Sequence, residues 1–186
     1  MRDGLQAPDQ ALQYLEQANE LKPGDADVLS ALVDAYIESG RTADAIPMIE
    51  KLIEAEQQTA GKRSKKLAAL YLQLGQAYEK QGDRDRALAE YENANRIDLT
   101  NFGVNYRLGL LYRETGDVDK AMKMLRPLLL QNLQSQGIDK ADVYYILGEL
   151  HAQKGETVKA ISMLDRGLSQ NRDHEGIKAL LAQLKG

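Results

Sequence analysis

An all-α chain built from stacked helix pairs is what this sequence predicts, and three observations predict it. The 186 residues are dominated by Leu, Ala, Gln, Glu and Lys, all good helix formers, with only 4 prolines and 15 dispersed glycines. Val and Ile are few and never alternate over the length of a strand. One pattern of apolar and small residues recurs four times along the chain.

The elements follow in order. Ala11, Leu15, Ala18 and Pro23 read as the second helix of a partial preceding pair within residues 1–24. In the first full unit, 26–59, Leu29, Leu32, Val33 and Tyr36 share one helical stripe. Gly40 suits the end of that helix because it tolerates positive φ, and Ala45, Ile49 and Leu52 form the stripe of a second helix. Residues 68–101 repeat the pattern with Tyr71, Leu74, Tyr78, Gly82, Ala87, Tyr91 and Ala94. Residues 102–135 give Asn105, Leu108, Tyr112, Gly116, Ala121, Leu125 and Leu128. Residues 141–174 give Tyr144, Leu147, His151, Gly155, Ala160, Leu164 and Gly167. Ile177, Leu180, Leu181 and Leu184 make 175–186 a final helix that closes the stack.

Two features say that the pairs must pack. The small residues Ala45, Ala87, Ala121 and Ala160, with the mid-helix Gly75, Gly109 and Gly148, let two helices approach closely. A glycine inside a helix otherwise costs about 1 kcal/mol against Ala. One pair is also shorter than the roughly 40 residues that usually fold alone, so neighbouring units must cover each other.

The spacing has two departures. The steps between Tyr36, Tyr78, Tyr112 and His151 are 42, 34 and 39 residues. The first implies an insert at 60–67, read as a lengthened hairpin whose tip carries Lys62, Arg63, Lys65 and Lys66. The second implies an insert at 136–140 with Gly137 in the turn. Pro127 lies inside a second helix and should bend it, because proline removes one hydrogen bond; Pro47 lies nearer a helix start and should disturb less.

Residues 68–101, with Tyr71, Leu74, Gly75, Tyr78, Gly82, Ala87, Tyr91 and Ala94, resemble the tetratricopeptide repeat, W-x2-L-G-x2-Y followed by A-x3-F and a terminal Pro, here replaced by Leu99. The resemblance implies a right-handed superhelical solenoid, with first helices lining a concave groove and repeat positions 2, 5, 9, 12 and 13 pointing into it. The partial first unit is also what a piece of a longer array would show. The candidate groove residues are then Asp34, Ile37, Leu72, Gln76, Glu79, Tyr106, Arg107, Leu110, Arg113, Tyr145 and Glu149. Tyr106 and Tyr145 stand outside the repeat signature and share position 5, so both are expected as partly apolar anchors. Family members that clamp a C-terminal carboxylate use Lys and Asn at positions held here by Ser30 and Asp34. They also use Lys and Arg in the third unit, where Gly103 and Arg107 stand, so no clamp of that kind is expected.

Composition and chemistry narrow the function classes. No cysteine is present, which removes disulfides and thiolate sites. A net charge of -4 gives no general electrostatic reason to bind nucleic acid. No apolar run reaches the roughly 18 residues of a membrane span, and residues 1–30 lack the apolar core of a secretion signal. A soluble chain is expected, with the cytoplasm slightly favoured. Of the two histidines, His151 fills a tyrosine slot and reads as a packed imidazole, while His174 reads as part of a solvated turn. Gly61-Lys62-Arg63-Ser64 fails as a phosphate loop, since Arg63 stands where Ser or Thr must follow the lysine. No catalytic residue, metal ligand or cofactor is expected. The expected function is a non-catalytic interaction scaffold whose groove takes a peptide or helix of another protein, with apolar anchors and basic flanks. The rival readings are a self-associating segment that pairs through Leu180, Leu181 and Leu184, and the regulatory arm of a larger enzyme or signalling protein.

Overall fold

A computed structural model describes residues 6–59, 64–133 and 137–186. Ten α-helices and one 3-10 segment run through the described residues, which contain no strand. The chain divides into two units, residues 1–99 and 100–186.

The first unit holds α1 (Gln6–Leu21), α2 (Ala26–Glu38), α3 (Thr42–Thr59), α4 (Lys65–Lys80) and α5 (Arg84–Ile97), each packed on the next in chain order. Short turns join α2 to α3 and α4 to α5, which makes each pair antiparallel. The turn after α4 needs a residue that L side chains rarely permit, and Gly82 supplies it at φ +80. Asp25, Ser64 and Asp83 cap α2, α4 and α5 by accepting backbone N–H groups that the first helical turn leaves unpaired.

Both helices around the 60–67 insert are long. α3 has 18 residues and α4 has 16, against 13 and 14 in α2 and α5. Lys65 and Lys66 therefore open α4 instead of a loop tip, and Ser64 caps it through Leu67 N–H at 2.9 Å. Lys62 and Arg63 lie outside the described residues. α3 runs unbroken through Pro47.

Hydroxyl groups stitch successive pairs. Tyr36 OH donates to Glu16 of α1 at 2.8 Å, and Tyr78 OH donates to Glu50 of α3 at 3.1 Å. Over each ring sits a cation from the following turn or helix, Arg41 at 4.7 Å and Arg86 at 4.6 Å. On α1 the stripe is rotated from the one expected. Leu12 is buried against the stack, Leu15 and Ala18 are half-buried, and Ala11 is exposed.

The second unit holds α6 (Phe102–Glu114), α7 (Val118–Leu125), α8 (Lys140–Gln153), α9 (Thr157–Gln170) and α10 (Glu175–Lys185). At Pro127 the expected bend takes a definite form: the α-helix stops at Leu125 and a 3-10 turn runs through Arg126–Leu130. Proline is tolerated there because its missing N–H falls in the first turn of the new segment. Leu128 on that turn remains buried. From the 136–140 insert, Gln136 lies outside the described residues, Gly137 adopts φ +65, and Lys140 begins α8.

The three mid-helix glycines lie where the two helices of a pair meet closely. A Cβ on Gly75 would lie 2.6 Å from the Tyr91 ring, on Gly109 2.5 Å from Leu125, and on Gly148 2.7 Å from Leu164. α10 closes the second unit by burying Ile177 and Leu181 against Ala141 and Leu164, with Leu180 and Leu184 packed at the margin. Of the leucines considered for pairing two chains, Leu181 is buried and Leu180 and Leu184 are half-buried.

His151 is 4% exposed in the slot that tyrosine fills elsewhere. Its Nδ1 lies 2.5 Å from Glu156, which also takes Lys159 Nζ at 3.0 Å. Lys159 first, then His151, hold the Glu156 carboxyl down to about 2. Because the folded group is depressed, its contribution is fully present above the ordinary carboxylate range and is lost as pH falls toward 2. Glu156→Gln is therefore expected to lower the urea midpoint at pH 7 and to leave the difference shrinking below pH 4. A gap between variant and parent that does not change from pH 7 to pH 2.5 would contradict this.

Candidate protein-binding face

The candidate residues all lie on the first helices of the pairs. In the first unit α2 carries Asp34, exposed, and Ile37, half-buried. On α4, Gln76 is exposed and Leu72 is half-buried. Glu79 is turned toward its own pair, where it accepts the Tyr91 hydroxyl at 2.6 Å. With Asp27 and Glu38 on α2, this side of the unit is acidic and its apolar groups are Ile37 and Leu72.

In the second unit α6 and α8 are linked side chain to side chain. Arg113 Nη2 lies 2.9 Å from Glu149 Oε2, an ion pair without the alignment of a hydrogen bond. Glu149 Oε1 accepts the Tyr145 hydroxyl at 2.7 Å. Helical spacing sets this up, because Tyr145 and Glu149 are four residues apart on α8. The bond to Glu149 and then burial raise the Tyr145 hydroxyl above its usual range, so it stays a donor at neutral pH. Tyr106 is half-buried; burial first, then the Asp142 carboxylate, push its hydroxyl up as well. Leu110 is half-buried and Arg107 is exposed on the same helix.

His174 corrects the sequence reading. Instead of sitting in a solvated turn, its side chain is only 15% exposed and joins α8 to α10. Nδ1 accepts Ile177 N–H at 3.1 Å and so caps α10. Nε2 lies 2.9 Å from Asp142 Oδ1, so the ring proton sits on Nε2 and is donated to the carboxylate. The ring stacks on Tyr145 with centroids 5.4 Å apart, and Gly176 leaves both rings their space. The signal was present in the sequence: His174 stands three residues before Ile177, the N-cap spacing, although histidine is not among the favoured caps. Tyr145 is therefore a half-buried side chain held by Glu149 and His174, not a free anchor. No group of three or more His, Cys, Asp or Glu with metal-binding geometry occurs among the described residues. No described helix is long and apolar enough to cross a membrane.

Comparison with known proteins identifies the repeat that builds these pairs. A tetratricopeptide repeat model matches residues 4–70 and 78–137, and a second model of the same repeat matches 141–174. Cellulose synthase operon protein C of Pseudomonas fluorescens (strain SBW25) is 29% identical over 107 residues. That match covers 58% of this chain and 8% of the relative, so the chain spans a small part of its length. Among solved structures, YrrB, described as a TPR protein with an unusual peptide-binding site, is similar with a TM-score of 0.74 at 21% identity, covering 95% of this chain and 84% of that one. MamA is similar with a TM-score of 0.70 at 21% identity, covering 89% of this chain and 83% of that one.

Proposed function

Since the chain belongs to the tetratricopeptide repeat family, whose repeats mediate contacts between proteins, we propose that its first-helix faces take up an extended or helical segment of another protein. The observation that carries this reading is the Arg113–Glu149–Tyr145 network across α6 and α8. It fixes three side chains on the first helices of two adjacent pairs, and pre-ordered side chains lose less entropy when a partner docks. Ile37 and Leu72 in the first unit, and Tyr106, Leu110 and Tyr145 in the second, supply half-exposed apolar surface for anchors. Asp27, Asp34 and Glu38 favour a partner with Lys or Arg beside those anchors. The peptide-binding site ascribed to YrrB supports the same use of the fold. The role is binding rather than catalysis.

A photo-crosslinking amino acid at position 106 tests it, with position 158 on α9 as the control; Val158 is 83% exposed. Crosslinking to one partner segment is expected at 106 and not at 158. A synthetic peptide of that segment should then bind at least about tenfold more weakly to Tyr106→Ala combined with Tyr145→Phe, a change of about 1.4 kcal/mol. Tyr145→Phe keeps the ring that packs beneath α10. Equal crosslinking at both positions, or an unchanged affinity, would remove the first-helix face as the binding surface.

A further inference from the structure

Among the described helices, every side-chain cap except one comes from a short residue. Asp25, Ser64, Asp83, Asn101, Asp117 and Asp139 each accept a backbone N–H of the turn that follows. At the head of α10 the same task falls to an imidazole, that of His174, through Nδ1. Capping does not explain the choice. Asparagine carries its acceptor at the same δ position, is a favoured cap where histidine is not, and serves at the head of α6. What the histidine adds lies beyond the δ atoms, in the part of the ring that asparagine lacks.

That part makes two contacts, both with α8. Nε2 donates to Asp142 Oδ1 at 2.9 Å, and the ring lies on Tyr145 with 5.4 Å between centroids and 34° between planes. Gly176 leaves room for this pair and little more: a Cβ there would stand 3.2 Å from His174 Cε1 and 3.3 Å from Tyr145 Cε2. Tyr145 also packs against Ala141, Leu164, Ile177 and Leu181, the cluster that seats α10. Its hydroxyl donates to Glu149, which is ion-paired with Arg113 of α6. One side chain therefore joins the seat of α10 to the face read above as the binding surface.

We propose that His174 is the positioning residue of that face: it holds Tyr145 from the head of α10, so that the Tyr145–Glu149–Arg113 group is ordered while α10 is docked and loosens when α10 leaves. By linkage the effect runs both ways. Docked α10 favours the ordered face, and a partner seated on Tyr145 favours docked α10. The inference rests on the first-helix face as the binding surface, but neither readout below needs a partner. Failure of crosslinking at position 106 would leave the His174 result standing, and failure here would leave that crosslink standing.

Meta-fluorotyrosine placed at position 145 of the full chain gives a fluorine NMR signal that reports on the ring. Hydrogen–deuterium exchange of the same proteins reports on α10. His174→Asn keeps an acceptor for Ile177 N–H but ends short of Asp142 and offers no ring to Tyr145. It is expected to leave the protection of α10 within about twofold of the parent, while the fluorine signal moves toward that of the free amino acid. Ile177→Asp, which takes α10 from its seat, should move the signal the same way, and Ala179→Asp should not move it. A parent-like signal in His174→Asn overturns the proposal, because the histidine would then be a cap alone. A parent-like signal in Ile177→Asp overturns it too, because the face would be ordered without α10. So does a loss of α10 protection in His174→Asn equal to that in Ile177→Asp, since the ring would then hold α10 and not Tyr145.

Discussion

Gly148→Ala is expected to destabilise the second unit, Leu164→Ala to destabilise it further, and the double variant to lose less than the two losses added. A Cβ at position 148 would stand 2.7 Å from Leu164 Cδ2 and 2.8 Å from Cγ. Leu164 has no room to withdraw, since it is fully buried in the cluster with Ala141, Ile177 and Leu181. Overpacking of this kind costs about 1–3 kcal/mol, partly offset by the better helix propensity of alanine, about 1 kcal/mol. Leu164→Ala opens a cavity and should cost about 2–5 kcal/mol. In the double variant the new methyl occupies part of that cavity, so a coupling of about 0.5–3 kcal/mol is expected. Urea unfolding of the four proteins measures it. Losses that add to within about 0.5 kcal/mol would show that the close helix approach is not why position 148 has no side chain.

Ile177→Asp is expected to release α10 from the second unit. Ile177 is 0% exposed and its Cδ1 reaches to 2.5 Å from where a Cβ on Gly167 would be. Aspartate there would bury an unpaired carboxylate and leave the space of the isoleucine unfilled, a loss of about 3–5 kcal/mol. The amides of α10 should then exchange with solvent much faster than those of α8, as read by hydrogen–deuterium exchange. Ala179→Asp on the exposed side of the same helix is the control and should change stability by less than about 0.5 kcal/mol. Matching losses in the two variants would mean that α10 is held by its charge or helicity and not by the apolar contacts of Ile177.

Local pattern carried the reading a long way where the pattern repeats. The stripe Leu29, Leu32, Val33 and Tyr36 is buried as its spacing implies, and so are Leu74, Gly75 and Tyr78 and their counterparts. Gly75, Gly109 and Gly148 were legible because nothing else explains a glycine in the middle of a good helix. The reading failed where a neighbour, not the period, decides. Ala11 matched the pattern yet is exposed, whereas its counterparts Ala45, Ala87, Ala121 and Ala160 are covered by neighbouring helices that no local spacing reveals. Glu79 matched a groove position, but the Tyr91 hydroxyl from the adjoining helix claims it. His174 looked like a polar turn because its two partners, Asp142 and Tyr145, are about thirty residues away in sequence.

The amino-acid order by itself determined that this chain is helical, that its helices come in pairs, and which side of each helix is apolar. Those properties depend on side chains within a few positions of each other, so they repeat wherever the residues repeat. Only the folded chain decided that Pro127 converts the end of a helix into a 3-10 turn that still buries Leu128. It also decided that Arg113, Glu149 and Tyr145 form one connected group. These depend on distances between segments far apart in sequence, which are set by how the pairs pack and by no spacing along the chain.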